Sequence, residues 1–166
     1  MIEIKITQDI RERAQEKADE MGRLNNSIRQ GEGNLVGFMG EQIVANYLNA
    51  CVENTYDYDI MMHGAKLDVK TKECTSPPKP HYECSIAAYN TKQKCNAYVF
   101  TRICQDTCWI LGWMPKEAYF KKAKFMQKGQ IDPSNNFVVR ADCYNLAIQD
   151  LKPIDHLKNL LENKNV

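Results

Sequence analysis

Asp68-Val69-Lys70 is the stretch of this chain best suited to chemistry. On a β-strand an acid and a lysine at i and i+2 project from one face, about 7 Å apart. Val69 points the other way, where it can pack into a core. Two such charges serve either a wet strand face or a site in which the carboxylate holds a divalent metal and the ammonium works on a water or a phosphate. Other acids bear on the choice. Glu41 lies in an apolar helical stretch. Asp59 stands in an aromatic, alternating segment just before His63-Gly64, with Asp57 two residues earlier on the same predicted face. Mg²⁺ takes hard oxygen ligands, keeps several waters and is held by few carboxylates together with substrate phosphate. Such an ion lowers the pKa of a bound water and offsets charge that builds up on a phosphodiester. Three carboxylates and a lysine on neighbouring elements therefore fit phosphodiester hydrolysis.

The elements that must position these groups follow from apolar spacing. Ile2, Ile4 and Ile6 predict a short strand. Thr7 is the expected N-cap of a helix over 8–24, with Ile10, Ala14, Ala18, Met21 and Leu24 on one stripe. Residues 29–34 read as a glycine-containing loop, and Asn34 as the cap of a second helix over about 35–50. That helix carries Glu41 on or at the edge of its packed stripe, and Gly37 and Gly40 leave room for a sheet to approach. A lone buried carboxylate is expensive, so Glu41 is expected either to reach solvent or to meet a cation, a hydrogen-bond donor or a metal. Residues 56–62 and 66–73 are predicted as a hairpin and 82–87 as a third strand. A short helix follows near 90–95. Ala97–Cys104 is the strongest strand, with 108–114 as its hairpin partner. Pro115 and Pro153 each open a helix. Residues 128–136 form a polar loop, followed by a short strand over 136–140.

The 166 residues, 43% hydrophobic and 26% charged, fit one soluble domain with a core of its own. No apolar run approaches the ~20 residues that span a bilayer. The start, Met1-Ile2-Glu3-Ile4-Lys5, lacks the pattern of a signal peptide, so a cytoplasmic protein without a membrane partner is expected. There are seven cysteines and no CxxC pair. The nearest metal-like spacings, Cys104/Cys108 and His81/Cys84, have no matching second half, so reduced buried thiols are expected in preference to zinc. The net charge of +1 does not announce a nucleic-acid binder. The positive charge is nevertheless clustered, with Arg11, Arg13, Lys17, Arg23 and Arg29 early and Lys116, Lys121, Lys122, Lys124 and Lys128 later. Each cluster alone reads as a solvated helix face; together they can supply phosphate contacts.

Taken in order, Glu41 … Asp59 … Asp68-Val69-Lys70 resembles the PD-(D/E)XK nuclease superfamily, the restriction-endonuclease-like proteins. The resemblance covers roughly residues 34–104 and is most specific in Gly40-Glu41, Tyr58-Asp59-Ile60 and Leu67-Asp68-Val69-Lys70-Thr71. It implies an α/β (α+β) fold with an α-β-β-β-α-β core, in which helices flank a central mixed β-sheet. That core would lie in a single domain over 1–166, with an N-terminal helix and a C-terminal extension. It implies Mg²⁺, with Mn²⁺ able to substitute, held by Asp59, Asp68 and the backbone carbonyl of Val69. Glu41 would bind the metal directly or through water. Lys70 would be the catalytic lysine, acting on the water or only on the phosphate.

There are departures. Tyr58 stands where the pattern has proline. Asp57 remains the alternative first acid; Asp59 is preferred because Ile60 and the Gly64 turn set it across the hairpin from Asp68. Gln93 matches in type a polar residue that some members keep near the site. Lys72 continues the Asp68/Lys70 face, either toward a phosphate or as a solvated strand-end lysine. The expected function is a metal-dependent DNA nuclease, endo- or exonuclease alike, with DNA as partner. A homodimer is expected if it cuts both strands as dimeric relatives do. The small size fits nucleases of phages or mobile elements, acting in the host cytoplasm. The competing expectation is a catalytically inactive DNA-binding or partner-binding module on the same fold.

Overall fold

A computed structural model describes residues 1–25, 32–53 and 55–163, with only the backbone described over 22–25 and 32–34. The chain runs β1 (Ile2–Lys5), α1 (Gln8–Asn25), α2 (Glu32–Leu48), β2 (Cys51–Val52), β3 (Ile60–Met62), β4 (Ala65–Glu73) and β5 (Glu83–Ala87). A 3₁₀ turn over Ala88–Lys92 leads to β6 (Ala97–Cys104), β7 (Thr107–Pro115), α3 (Lys116–Lys122), β8 (Lys124–Met126), β9 (Cys143–Ala147) and α4 (Ile154–Glu162). The structure is mixed α and β. None of the helices among the described residues is long and apolar enough to cross a membrane.

β6 is apolar or uncharged at every position except Arg102, and all eight of its residues are buried. It sits inside a six-stranded sheet of order β1-β7-β6-β4-β3-β2. β4 and β6 run parallel; the other neighbours are antiparallel. The strand period of two sends alternate residues to opposite faces. Leu67 and Val69 of β4 and Val99 of β6 enter a core with α1, α2 and α4, including Ala14, Ile43, Val44 and Leu157. Tyr98 and Phe100 enter the opposite core, against Ile86, Tyr119 and Leu146. That second core is covered by a small antiparallel sheet of order β5-β9-β8. Asp68 is in register with Tyr98 and Lys70 with Phe100, so the Asp-x-Lys face looks toward the small-sheet side.

Two local features bring the acid-bearing elements together. His63 and Gly64 both have positive φ, 49° and 79°, the backbone of a two-residue hairpin turn, and they fold β3 onto β4. Gly40 lets α2 lie close to the sheet. A Cβ there would stand 2.0 Å from Thr71 Oγ1 and 2.9 Å from Thr101 Oγ1. Those two hydroxyls are themselves hydrogen-bonded at 2.8 Å. Gly37, by contrast, has open space around it. Thr7 Oγ1 accepts the Ile10 N–H at 3.4 Å and marks the start of α1 as expected.

The structure differs from the expected elements in several places. α2 begins at Glu32, so Asn34 lies inside the helix and is not its cap; residues 26–31, which hold the first part of the expected loop, lie outside the described residues. Only Ile60–Met62 of the expected 56–62 strand is a strand. The Thr55 hydroxyl accepts the N–H groups of Asp57 and Tyr58 and donates to the Tyr58 carbonyl, which bends the backbone before β3. The Tyr82–Ala87 strand belongs to the small sheet, because its hydrogen-bonding partner is β9, far along the chain. The central sheet has β2 as its edge instead, paired with β3. Residues 136–140 form no strand; they are tied back to 129–132 by one isolated bridge, Ile131 to Val138, and by backbone hydrogen bonds such as that from the Val139 N–H to the Gln130 carbonyl at 2.8 Å.

Gly40→Ala gains helix propensity but drives a methyl into two hydroxyls on β4 and β6, and the steric conflict wins. Equilibrium urea unfolding is expected to show a loss of about 1–3 kcal/mol, partly recovered when Thr71→Ala is added. Unchanged stability would mean that α2 does not approach the sheet at this residue.

Candidate active site

The groups expected to do chemistry arrive from separate elements, each placed by its own local structure. Glu41 comes on α2 and is only 8% exposed. Its Oε2 lies 3.6 Å from Lys17 Nζ of α1, and that ammonium also sits 4.7 Å from the centre of the Phe38 ring. Burial pushes the Glu41 carboxyl up to about 8, with the charges of Asp59 and Asp68 acting in the same sense and Lys17 opposing them. Of the two expectations for Glu41, solvent at a boundary or a buried carboxylate with a cation beside it, the structure has the second.

Asp59 is tied to β4 through its own backbone and side chain. Its N–H donates to the Leu67 carbonyl at 2.9 Å, and its Oδ2 accepts the Val69 N–H at 2.7 Å. These two bonds hold it beside Asp68. Burial pushes Asp59 up to about 6, and the Asp68 charge adds to this; the Val69 N–H, Lys70 and Lys17 pull it back. Asp68 is 3% exposed. Its Oδ2 lies 2.6 Å from Lys70 Nζ, yet that oxygen has no hydrogen bond of acceptable geometry. The ammonium approaches at a poor angle, so the contact is one of charge. Lys70 Nζ instead donates to Gln93 Oε1 at 3.0 Å. Gln93 is fixed in turn: its Nε2 donates to the Tyr56 carbonyl at 3.1 Å, and Lys116 Nζ donates to its backbone carbonyl.

Asp57 and Asp59 part company here. Because the segment before β3 is bent, the two acids do not share a strand face. Asp57 Oδ1 accepts the Lys94 N–H at 3.0 Å, in the connection leading to β6, whereas Asp59 lies within reach of the charges of Glu41 and Asp68. Val69 is buried in the α2-side core. Lys72 is exposed further along the Asp68/Lys70 face and borders a cleft. In the N-terminal cluster, Arg11 pairs with Asp106 at 2.5 Å and Arg13 with Asp9 at 3.2 Å; the Arg23 side chain and Arg29 lie outside the described residues. Lys17, read from the sequence as a phosphate contact, stands at the acids themselves. Its spacing from Ala14 and Met21, at the edge of the buried stripe of α1, is the one signal that could have placed it.

All seven cysteines are free, and Cys84, Cys95, Cys104 and Cys108 are buried. Burial pushes the Cys84 and Cys108 thiols up to about 12, which makes them inert hydrophobes at neutral pH. Among the described residues no three or more His, Cys, Asp or Glu side chains stand together at metal-holding spacing. Glu41, Asp59 and Asp68 feel one another's charge without forming a closed cage. Their chemistry nonetheless suits a hard divalent cation. All three are carboxylates, and Glu41 Oε2 and Asp68 Oδ2 are buried without a hydrogen bond. Mg²⁺ needs one or two such groups, with water and phosphate completing its shell. The chain matches no protein-family model and no curated protein.

Glu41 binds its proton more tightly in the folded protein than in the unfolded chain. The stability this brings is complete below the ordinary value of 4.5 and is lost as pH rises through about 8. Asp59 contributes in the same direction between 3.8 and about 6. Thermal melts in EDTA are therefore expected to fall between pH 5 and pH 8.5, and Glu41→Gln to flatten that fall. Parallel curves for the two proteins would show that Glu41 is not the titrating group.

Proposed function

We propose that this chain is a metal-dependent DNA nuclease of the restriction-endonuclease-like, PD-(D/E)XK type. The observation that carries the reading is that Asp59 is tied to β4 at Val69, beside Asp68 and its neighbour Lys70, with Glu41 of α2 within reach of their charge. The order of elements supports it as well. α2, β2, β3 and β4 follow one another, and β6 comes after β5 and the 3₁₀ turn and pairs with β4 in parallel; apart from β5, which joins the small sheet, this is the order the resemblance implies.

In this reading Mg²⁺ or Mn²⁺ is held by Asp59 and Asp68, with the Val69 carbonyl and Glu41 completing the set, and supplies Lewis-acid polarisation of the phosphate and a more acidic water. The chain's own groups do the rest. Lys70 offers an ammonium to the attacking water or to a phosphate oxygen. Gln93 is a positioning residue that holds Lys70 Nζ through its side-chain oxygen. Lys17 balances Glu41 and stands close enough to the acids to meet substrate phosphate. The exposed Lys121, Lys122, Lys124 and Lys128 supply further backbone contacts to DNA. Cutting both strands would call for a homodimer, and the expected setting is the cytoplasm, as for a phage-encoded enzyme.

The competing reading, a non-catalytic DNA-binding or partner-binding module, has one observation on its side. Lys17 and Lys70 already lie against Glu41 and Asp68, so the acids have positive neighbours without a metal. Cleavage separates the two readings. With supercoiled and linear DNA and Mg²⁺ or Mn²⁺, wild type is expected to cut and Asp68→Asn to be inactive. Lys70→Ala is expected to be slower by about 10² or more, and Gln93→Ala by about tenfold. Cleavage that survives both Asp68→Asn and Lys70→Ala would overturn the assignment. DNA binding without cleavage, lost only when surface lysines are removed, would favour the module.

A further inference from the structure

The strand face that carries Asp68 and Lys70 ends at Lys72, on the rim of a cleft of about 750 Å³ over the outer face of the small sheet, the face of Glu83, Ser85 and Asn145 that is turned away from the central sheet. Lys72 borders it, one strand repeat or about 7 Å beyond Lys70. Arg102 of β6 pairs in register with Lys72 and lines the same cleft. Arg102 is only 7% exposed, an unusual depth for a guanidinium. It gives one N–H to the Glu83 carbonyl at 2.9 Å and lies over the Tyr82 ring at 5.2 Å; a guanidinium has five donors in all. Across the cleft, the segment before β9 contributes Phe137, 51% exposed, with the Arg140 guanidinium 5.6 Å from the centre of its ring. Asn145 of β9, 7% exposed, and the carboxylates of Glu83 and Asp132 also line the cleft.

Each group answers a different part of one ligand. Exposed aromatic faces with guanidinium neighbours are platforms on which a base stacks. An Asn amide accepts and donates at base edges, and a carboxylate accepts there. Lys72 and Arg102 suit a phosphate. Three cations against two acids leave a modest positive excess, too small for a free polyanion and adequate for one nucleotide. An intact duplex keeps its bases stacked inside, so only an extruded or single-stranded nucleotide can enter such a cleft.

We propose that the cleft holds one unstacked nucleotide of the DNA strand, its base on Phe137 and its phosphate against Lys72 and Arg102, next to the phosphodiester at Asp68 and Lys70. This rests on the nuclease reading for the identity of the strand and makes single-stranded or locally opened DNA the favoured substrate.

Binding measured without metal tests the cleft separately from catalysis. A fluorescein-labelled 16-nucleotide DNA single strand and its blunt duplex would be titrated in EDTA, with fluorescence anisotropy as the readout. The proteins are wild type, Phe137→Ala and Arg140→Ala, both substitutions at exposed side chains and both checked for folding by circular dichroism. Wild type is expected to bind the single strand at least tenfold more tightly than the duplex. Each variant is expected to lose about tenfold on the single strand and less than twofold on the duplex. A 2-aminopurine placed in the strand is expected to be quenched by wild type and not by Phe137→Ala. Equal affinity for strand and duplex, or single-strand binding unmoved in both variants, overturns the cleft proposal even if wild type cuts DNA with Mg²⁺. The selective loss in the variants upholds the cleft as a nucleotide site even if wild type cuts nothing, and in that case the nuclease reading alone falls.

Discussion

Glu41 and Asp68 are almost sealed from solvent, and an ionised carboxylate in such surroundings costs several kcal/mol unless positive charge or hydrogen bonds answer it. Much of the local architecture is arranged around that cost. Lys17 is brought to Glu41 by the packing of α1 on α2, and Lys70 leans back along its own strand to Asp68. The balance is incomplete, since one oxygen of each acid is left without a hydrogen bond. Asp59 adds a third negative charge to the same region, and Glu41 answers by holding its proton far above the ordinary range. A fold that brings Glu41, Asp59 and Asp68 within reach of one another's charge is poorly explained by stability alone. A divalent cation at these acids, as proposed, would offset that repulsion.

The scaffold around the acids is stiff where position matters. β6 is buried along its whole length and serves as the parallel neighbour against which β4 is registered. The close approach of α2 at Gly40 sets the height of Glu41 above the sheet, and the His63-Gly64 turn sets Asp59 across from β4. Lys70 is held on the opposite side by Gln93, which is clamped by the Tyr56 carbonyl and Lys116. Beside Asp68 on the next strand, its register partner Tyr98 has a buried hydroxyl whose polar neighbour is the weakly bonding Cys95 thiol, another polar group held in this region at some expense.

What was legible in the sequence was what local periodicity carries. The β4 and β6 strands, the His63-Gly64 turn, the need for a small residue at Gly40 and the tension of an acid in the α2 stripe all follow from residues close in the chain. The small sheet was not legible, because β5 finds its partner some sixty positions later in β9, and 83–87 alone looks like any strand of the central sheet. Asp57 and Asp59 could not be separated by a period-two argument, since Thr55 bends the backbone that the argument assumes to be extended. Lys17 was legible only as a cation: a lysine at the margin of an apolar stripe looks the same whether it reaches water or a buried carboxylate. α2 starts earlier than its local sequence signals, because glycine and asparagine read locally mark a turn, whereas Gly33 and Asn34 lie within the helix.

The central claim is that Glu41, Asp59 and Asp68 form one cation site in which Lys70 gives way to metal at Asp68. Crystals grown with Mn²⁺ and measured at a wavelength where manganese scatters anomalously test it directly. The account predicts one strong anomalous peak in contact with the Asp59 and Asp68 carboxylates, with Lys70 Nζ drawn away from Asp68 Oδ2. No peak among these acids at saturating Mn²⁺, with the Lys70–Asp68 contact intact, would contradict it.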